Sequence, residues 1–176
     1  MSLLFGLVMS GPAPMTTQYI PLEQWEAQAG DRFIADTQEN TGYIVHESGN
    51  YTSMRIGSGQ QKVVRYIGKV YNAATPAEQW VVKSAHIQGD RATFGKTGRF
   101  LRLYLDDKTT AYGIHATGNI DEILASDDRY KSMGCILVSD AVLDILETTY
   151  ALNGNKLEVV TTKGVDEALM IHQAEY

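Results

Sequence analysis

The chain has 176 residues, 44% of them apolar and 20% charged, with a net charge of −6. That length suits one domain with a real core. The acidic balance, with Lys and Arg scattered singly, excludes nucleic acid as the main partner, because phosphate binding needs a concentrated positive surface. A single cysteine, Cys135, excludes an intrachain disulfide and a Cys-rich zinc centre. Residues 1–40 read as an N-terminal extension. Its apolar run Leu3–Val8, followed by Ser10-Gly11-Pro12-Ala13-Pro14, is either a secretory-signal remnant or a loosely docked terminus, and no cation precedes Arg32. The run is far too short to span a bilayer. Pro21 to Ala29 is expected to form a short helix with Leu22, Trp25 and Ala29 on one side.

From Gly42 onward, short extended runs alternate with turn residues. Expected strands are Gly42–Glu47, Tyr51–Gly57, Val63–Ile67, Gln79–Ile87, Arg99–Leu105 and Thr110–His115. Turns fall at Ser48-Gly49-Asn50, Gly57-Ser58-Gly59, Gly89-Asp90 and Asp106-Asp107-Lys108. The spacing predicts a mainly β fold, an antiparallel sandwich or barrel-like sheet, and not βαβ units. Asn119 to Ala125 predicts a short helix. A stronger one begins after Ser139, an N-cap followed by Asp140, carries Val142, Ile145, Leu146 and Tyr150 at helical spacing, and stops at Asn153-Gly154. Lys156–Thr162 reads as a last core strand, and Val165–His172 as a C-terminal amphipathic helix. Residues 41–164 thus form the main domain and 165–176 a tail.

Two segments carry chemistry: Tyr112-Gly113-Ile114-His115-Ala116 at a strand end, and Ser132-Met133-Gly134-Cys135-Ile136 before the Ser139 helix. A free thiol titrates near pH 8.5, so a histidine that takes its proton raises the thiolate fraction and can later protonate a leaving amine. Gly134 permits a sharp turn with no side chain blocking sulfur, and the Gly134 and Cys135 amides are candidate oxyanion donors. Taken alone, His115 reads as a hydrogen-bonded strand residue and Cys135 as a buried thiol.

Together the two segments resemble the YkuD-type L,D-transpeptidase signature: a Gly-x-His, a gap of some sixteen residues, then Ser-x-Gly-Cys and an aliphatic residue. Thr75-Pro76 ahead of Gln79-Trp80-Val81-Val82, the aromatic strand Gly98–Leu103, and Asn153-Gly154 before Lys156–Val160 extend the likeness, which covers about 42–162. The resemblance implies a YkuD-like fold with one or two short helices packed near the active-site loop. It implies Cys135 as nucleophile, His115 as general acid and base, Gly134 as oxyanion backbone, Ser132 as support and the Ala116 carbonyl as the group orienting His115. It also implies peptidoglycan stem peptides as partner, a cell-envelope location, no metal and no organic cofactor. Three positions depart from the pattern: Met133 replaces a frequent His or Lys, Ala116 a frequent Gly or Ser, and Leu137 the usual Arg or Asn. Tyr112, Arg99 and Arg102 are substrate-side candidates, with donor carboxylates as the target of the two arginines. Asp121, Glu122, Asp127 and Asp128 would attract an acceptor amine, or form a solvated face. The competing reading is a catalytically weak cell-wall binding module of the same fold; a papain-like hydrolase fits poorly because Cys135 follows His115.

Overall fold

The computed structural model describes residues 17–165. The strands are β1 Arg32–Asp36, β2 Thr41–Val45, β3 Tyr51–Arg55, β4 Ser58–Gly59, β5 Val63–Tyr66, β6 Lys69–Asn72, β7 Gln79–Ile87, β8 Arg99–Leu105, β9 Lys108–His115, β10 Tyr130–Ser132, β11 Ile136–Leu137 and β12 Leu157–Thr162. The helices are α1 Arg91–Phe94, α2 Ile120–Ala125 and α3 Asp140–Leu152. Eight strands form one mixed sheet in the order β11-β9-β8-β7-β12-β1-β2-β3, with β4 and β10, and β5 and β6, as separate pairs. The fold is mainly β, as expected.

Alternation sets the inner face. Leu157 and Val159 of β12 lie opposite Val82 and Trp80 of β7, and β1 adds Phe33 beside Val159. These side chains meet Val142, Leu143 and Leu146 of α3 in one buried cluster. Ser139 caps α3, its Oγ accepting from the Val142 amide at 3.3 Å, and Asp140 occupies the first turn.

Three expectations change. The sheet is not wholly antiparallel, because β1 runs parallel to β12 and β11 parallel to β9. β1 sits in mid-sheet although Arg32–Asp36 falls within the stretch read as an extension; its last four residues are all buried, so it carries no period-two signature. Pro21–Ala29 forms only a 3-10 turn at Leu22–Gln24. Trp25 then turns extended and stacks on the imidazole of His46 at 3.8 Å, and that contact replaces a continued helix. The run Leu3–Val8 and all but the first residue of Val165–His172 lie outside the described residues. No helix among the described residues is long and apolar enough to cross a membrane.

Candidate active site

The site forms where β11 closes the sheet edge against β9. Ile136 lies opposite Ile114 and Leu137 opposite His115, which aligns Cys135 with Gly113, two residues before the histidine. Two steps along a strand and one across leave the Cys135 and His115 backbones about 8 Å apart on one face. The same register on the other side sets Phe100 opposite His115 and Arg102 opposite Gly113. Arg102, Gly113 and Cys135 therefore form a row across three strands.

His115 is 5% exposed, and its Nδ1 donates to the Ala116 carbonyl at 2.6 Å. The ring packs between Phe94 of α1, 5.0 Å away, and Phe100, 5.7 Å away. Burial holds its pKa below the usual histidine value, against the opposing pull of its bonds to the Ala116 and Thr93 backbones. With Nδ1 donating to Ala116, Nε2 is the acceptor nitrogen of the neutral ring.

Cys135 is half-buried, and its Sγ lies 4.0 Å from the Ala111 carbonyl. Burial pushes its thiol up to about 11, opposed by the Gly113 backbone bond and the Arg102 charge. The thiol and imidazole share no hydrogen bond here; each is held by the backbone of β9 or of its exit. Arg102 is fixed in turn by donation to the Thr110 carbonyl at 2.7 Å and by its guanidinium lying 4.9 Å from the Phe100 ring centre.

The loop before Cys135 is clamped from within. The Gly134 amide donates to Ser132 Oγ at 3.0 Å, and that hydroxyl donates to the Cys135 carbonyl at 2.6 Å. The Gly134 amide is thus partnered by Ser132, and the Cys135 amide is the other oxyanion-donor candidate of the pair. Gly134 is needed for shape. Its φ of 119° disfavours any side chain, and a Cβ there would lie 2.5 Å from the Tyr112 ring. Tyr112 is held edge-on by Trp80 at 5.6 Å and packs against the loop at Gly134.

Several contributors had no site role assigned from the sequence. Thr75 Oγ1 accepts from the Gly59 amide, and a Cβ at Gly59 would lie 2.9 Å from Gly134 Cα, so the Thr-Pro segment buttresses the loop. Tyr71 donates its hydroxyl to the Met133 carbonyl at 3.1 Å. Phe94 carries no motif, and Phe100 enters the sequence only as part of the aromatic strand Gly98–Leu103. Only pairing with His115 reveals them.

The fold as a whole resembles known structures. The L,D-transpeptidase of Xylanimonas cellulosilytica (residues 123–326) aligns over 78% of this chain and 62% of its own, at 19% identity and a TM-score of 0.54. Bd1075 of Bdellovibrio bacteriovorus aligns over 84% and 54%, at 13% identity and 0.55. The helical cell shape determining protein Pgp2 of Campylobacter jejuni does so over 84% and 54%, at 14% and 0.54. The chain has the L,D-transpeptidase fold. It spans only about half to three-fifths of the length of these structures. No family model and no curated protein matches the sequence.

Against the L,D-transpeptidase signature, Leu137 is 3% exposed and belongs to the core cluster. A guanidinium could not be buried there unpaired. Arg129 braces this region instead, donating to the carbonyls of Ile56, Ser126, Glu39 and Asn40. Met133 is 39% exposed at the loop apex. Arg99 is not brought to the thiol. Three residues from Arg102, it points the other way, and its guanidinium is taken by Asp140, Asp144 and Glu147 of α3, which raise its pKa further. Asp121, Glu122, Asp127 and Asp128 are exposed, and Asp128 pairs with Lys131. No group of three or more His, Cys, Asp or Glu side chains among the described residues is arranged to hold a metal. A concavity of about 600 Å³ opens elsewhere, on the outer face between Arg32, Lys83, Tyr104, Asp107 and Glu158. Its mixed charges include no nucleophile.

Proposed function

We propose that this protein is a cysteine acyltransferase acting on peptidoglycan stem peptides. The alignment of Cys135 with Gly113, two residues from a histidine whose Nδ1 is fixed by the Ala116 carbonyl, carries the reading. Cys135 gives its proton to His115 and attacks the carbonyl between the L-centre of diaminopimelate or lysine and a terminal D-alanine. The C–S bond forms, the C–N bond breaks, and His115 returns the proton to the departing amine. An amine from a neighbouring stem then attacks the thioester and forms a cross-link, while water gives trimming instead. Thiolate is regenerated and reprotonated through His115. Arg102 is the cation beside the thiol and is suited to a donor carboxylate. Positioning and the Cys135 amide supply the acceleration without metal or cofactor. Such a substrate sets the protein in the cell envelope.

A second reading is a weak or inactive cell-wall module, favoured by the raised thiol pKa and its contact to Ala111 in place of the imidazole. A carbapenem separates the two. An acyltransferase gives a covalent adduct on intact mass that Cys135→Ala removes, and it alters isolated muropeptides. A binding module retains sacculi equally with or without Cys135, forms no adduct and leaves muropeptides unchanged; that result would overturn the enzyme reading.

A further inference from the structure

The ribbon between Gly59 and Ala73 is used by the site only at its base, where Tyr71 holds the Met133 carbonyl and the Gln60 amide holds that of Ser132. Beyond that base β5 and β6 pair from Val63↔Asn72 to Tyr66↔Lys69 and turn through Ile67-Gly68. Val63 is 66% exposed, Tyr66 50%, Ile67 81% and Val70 61%. Single exposed apolar residues are ordinary, but here Val63 and Val70 share one face of the ribbon, Tyr66 lies on the other and Ile67 caps the turn, so the ribbon is apolar on both sides and at its end, which asks for a partner.

The turn sharpens the point. Ile67 has φ of 47°, a left-handed conformation that β-branched side chains resist and that two-residue hairpin turns normally give to Asn or Gly. No packing offsets that strain, because the side chain is the most exposed of these four. The strain is therefore kept for something outside the fold.

Charge narrows the partner. No carboxylate lies between Glu47 and Glu78, while Arg55, Lys62, Arg65 and Lys69 all do, in a chain whose net charge is −6. Lys62, Arg65 and Lys69 are exposed on the ribbon itself. The partner is anionic and apolar together. Shape excludes a groove: a Cβ on Gly68 would meet nothing within 4 Å, and both strands are open to solvent. A small ligand or glycan takes a concave seat, whereas an exposed aliphatic tip flanked by cations suits a bilayer interface.

We propose that the 63–72 hairpin docks this protein on an anionic lipid surface. Ile67, Tyr66, Val63 and Val70 enter the headgroup–acyl boundary, while Lys62, Arg65 and Lys69 face lipid phosphates. The Tyr71–Met133 bond ties the docked hairpin to the Cys135 loop.

The test is co-sedimentation of the whole protein with phosphatidylcholine vesicles, with and without phosphatidylglycerol. Binding should require phosphatidylglycerol and weaken in high salt. Ile67→Asn should lower affinity about tenfold by removing one buried side chain. The same change should raise the thermal midpoint, since Asn accepts the left-handed turn, so the loss cannot be unfolding. Replacing Lys62, Arg65 and Lys69 with Gln should lower affinity roughly a hundredfold. Absent or salt-insensitive binding of the wild type, or sacculus binding that depends on Ile67 while vesicle binding does not, overturns the proposal. Thiol alkylation should be unchanged in Ile67→Asn, which keeps this outcome separate from the fate of the catalytic reading.

Discussion

The Ser132 hydroxyl links the Gly134 amide to the Cys135 carbonyl, accepting from one and donating to the other across a four-residue turn. Ser132→Ala leaves both groups without that partner in a mostly buried loop. A loss of about 1–3 kcal/mol follows, because each unsatisfied polar group costs its desolvation. Carbapenem acylation of Cys135 should fall about tenfold as the turn loosens. Ser132→Thr keeps the hydroxyl and should restore most of both. Chemical denaturation and adduct kinetics on the two variants check this, and equal defects in Ala and Thr would contradict it.

Thiol reactivity reports the resting relation between Cys135 and its surroundings. With the thiol raised to about 11, alkylation should climb about tenfold per pH unit between roughly pH 7 and 10. A plateau starting near neutrality would mean a standing thiolate–imidazolium pair. Arg102→Gln removes the cation that favours thiolate, so its alkylation should be several-fold slower at every pH in that range.

His115 gives stability a pH dependence whose sign follows from its lowered pKa. The unfolded chain binds a proton near pH 6.5, while the folded ring resists it until lower pH. Its contribution is full above about 6.5 and is lost as pH falls toward the folded value. In His115→Gln the difference in unfolding free energy between about pH 7.5 and 5 should be smaller than in the wild type. The acid loss from carboxylates is common to both proteins and cancels. An identical pH slope in the two would mean that the ring titrates normally in the fold.

How much of this was readable in the chain depends on whether a residue speaks through local pattern or through pairing. Cys135, His115 and Ser132 stand in short motifs that carry the family resemblance, and Ser139 announces α3 by its cap. Strand β1 was silent because burial on both faces erases alternation. The contacts of Phe94 and Phe100 with His115 were silent because they exist only across a strand pair and a helix contact. Arg99 was misplaced by counting it with Arg102: three residues apart on a strand, the two must face opposite ways. The Gly134 amide could not be assigned from composition, since its acceptor is a hydroxyl two residues back that equally well points to solvent in an unfolded turn.

Arg99 gives the clearest division between fold and site. Its side chain is 13% exposed and joins three carboxylates of α3 to the start of β8, so it fixes the helix against the sheet. Arg99→Leu leaves Asp140 and Glu147 partly buried beside each other without a cation. The cost is roughly 2–4 kcal/mol, toward the figure for breaking a buried pair. Arg99→Lys should recover little, because one ammonium cannot reproduce the fork that reaches Asp140 and Asp144 at once. As pH falls from about 4 the wild type and Arg99→Leu should begin to converge, and they should meet only below the lowered Asp140 value, where the carboxylates are protonated and no longer need the cation. Carbapenem acylation per folded molecule should stay within about twofold of wild type, since the guanidinium lies on the α3 face. A large acylation defect with normal stability would instead assign Arg99 to substrate.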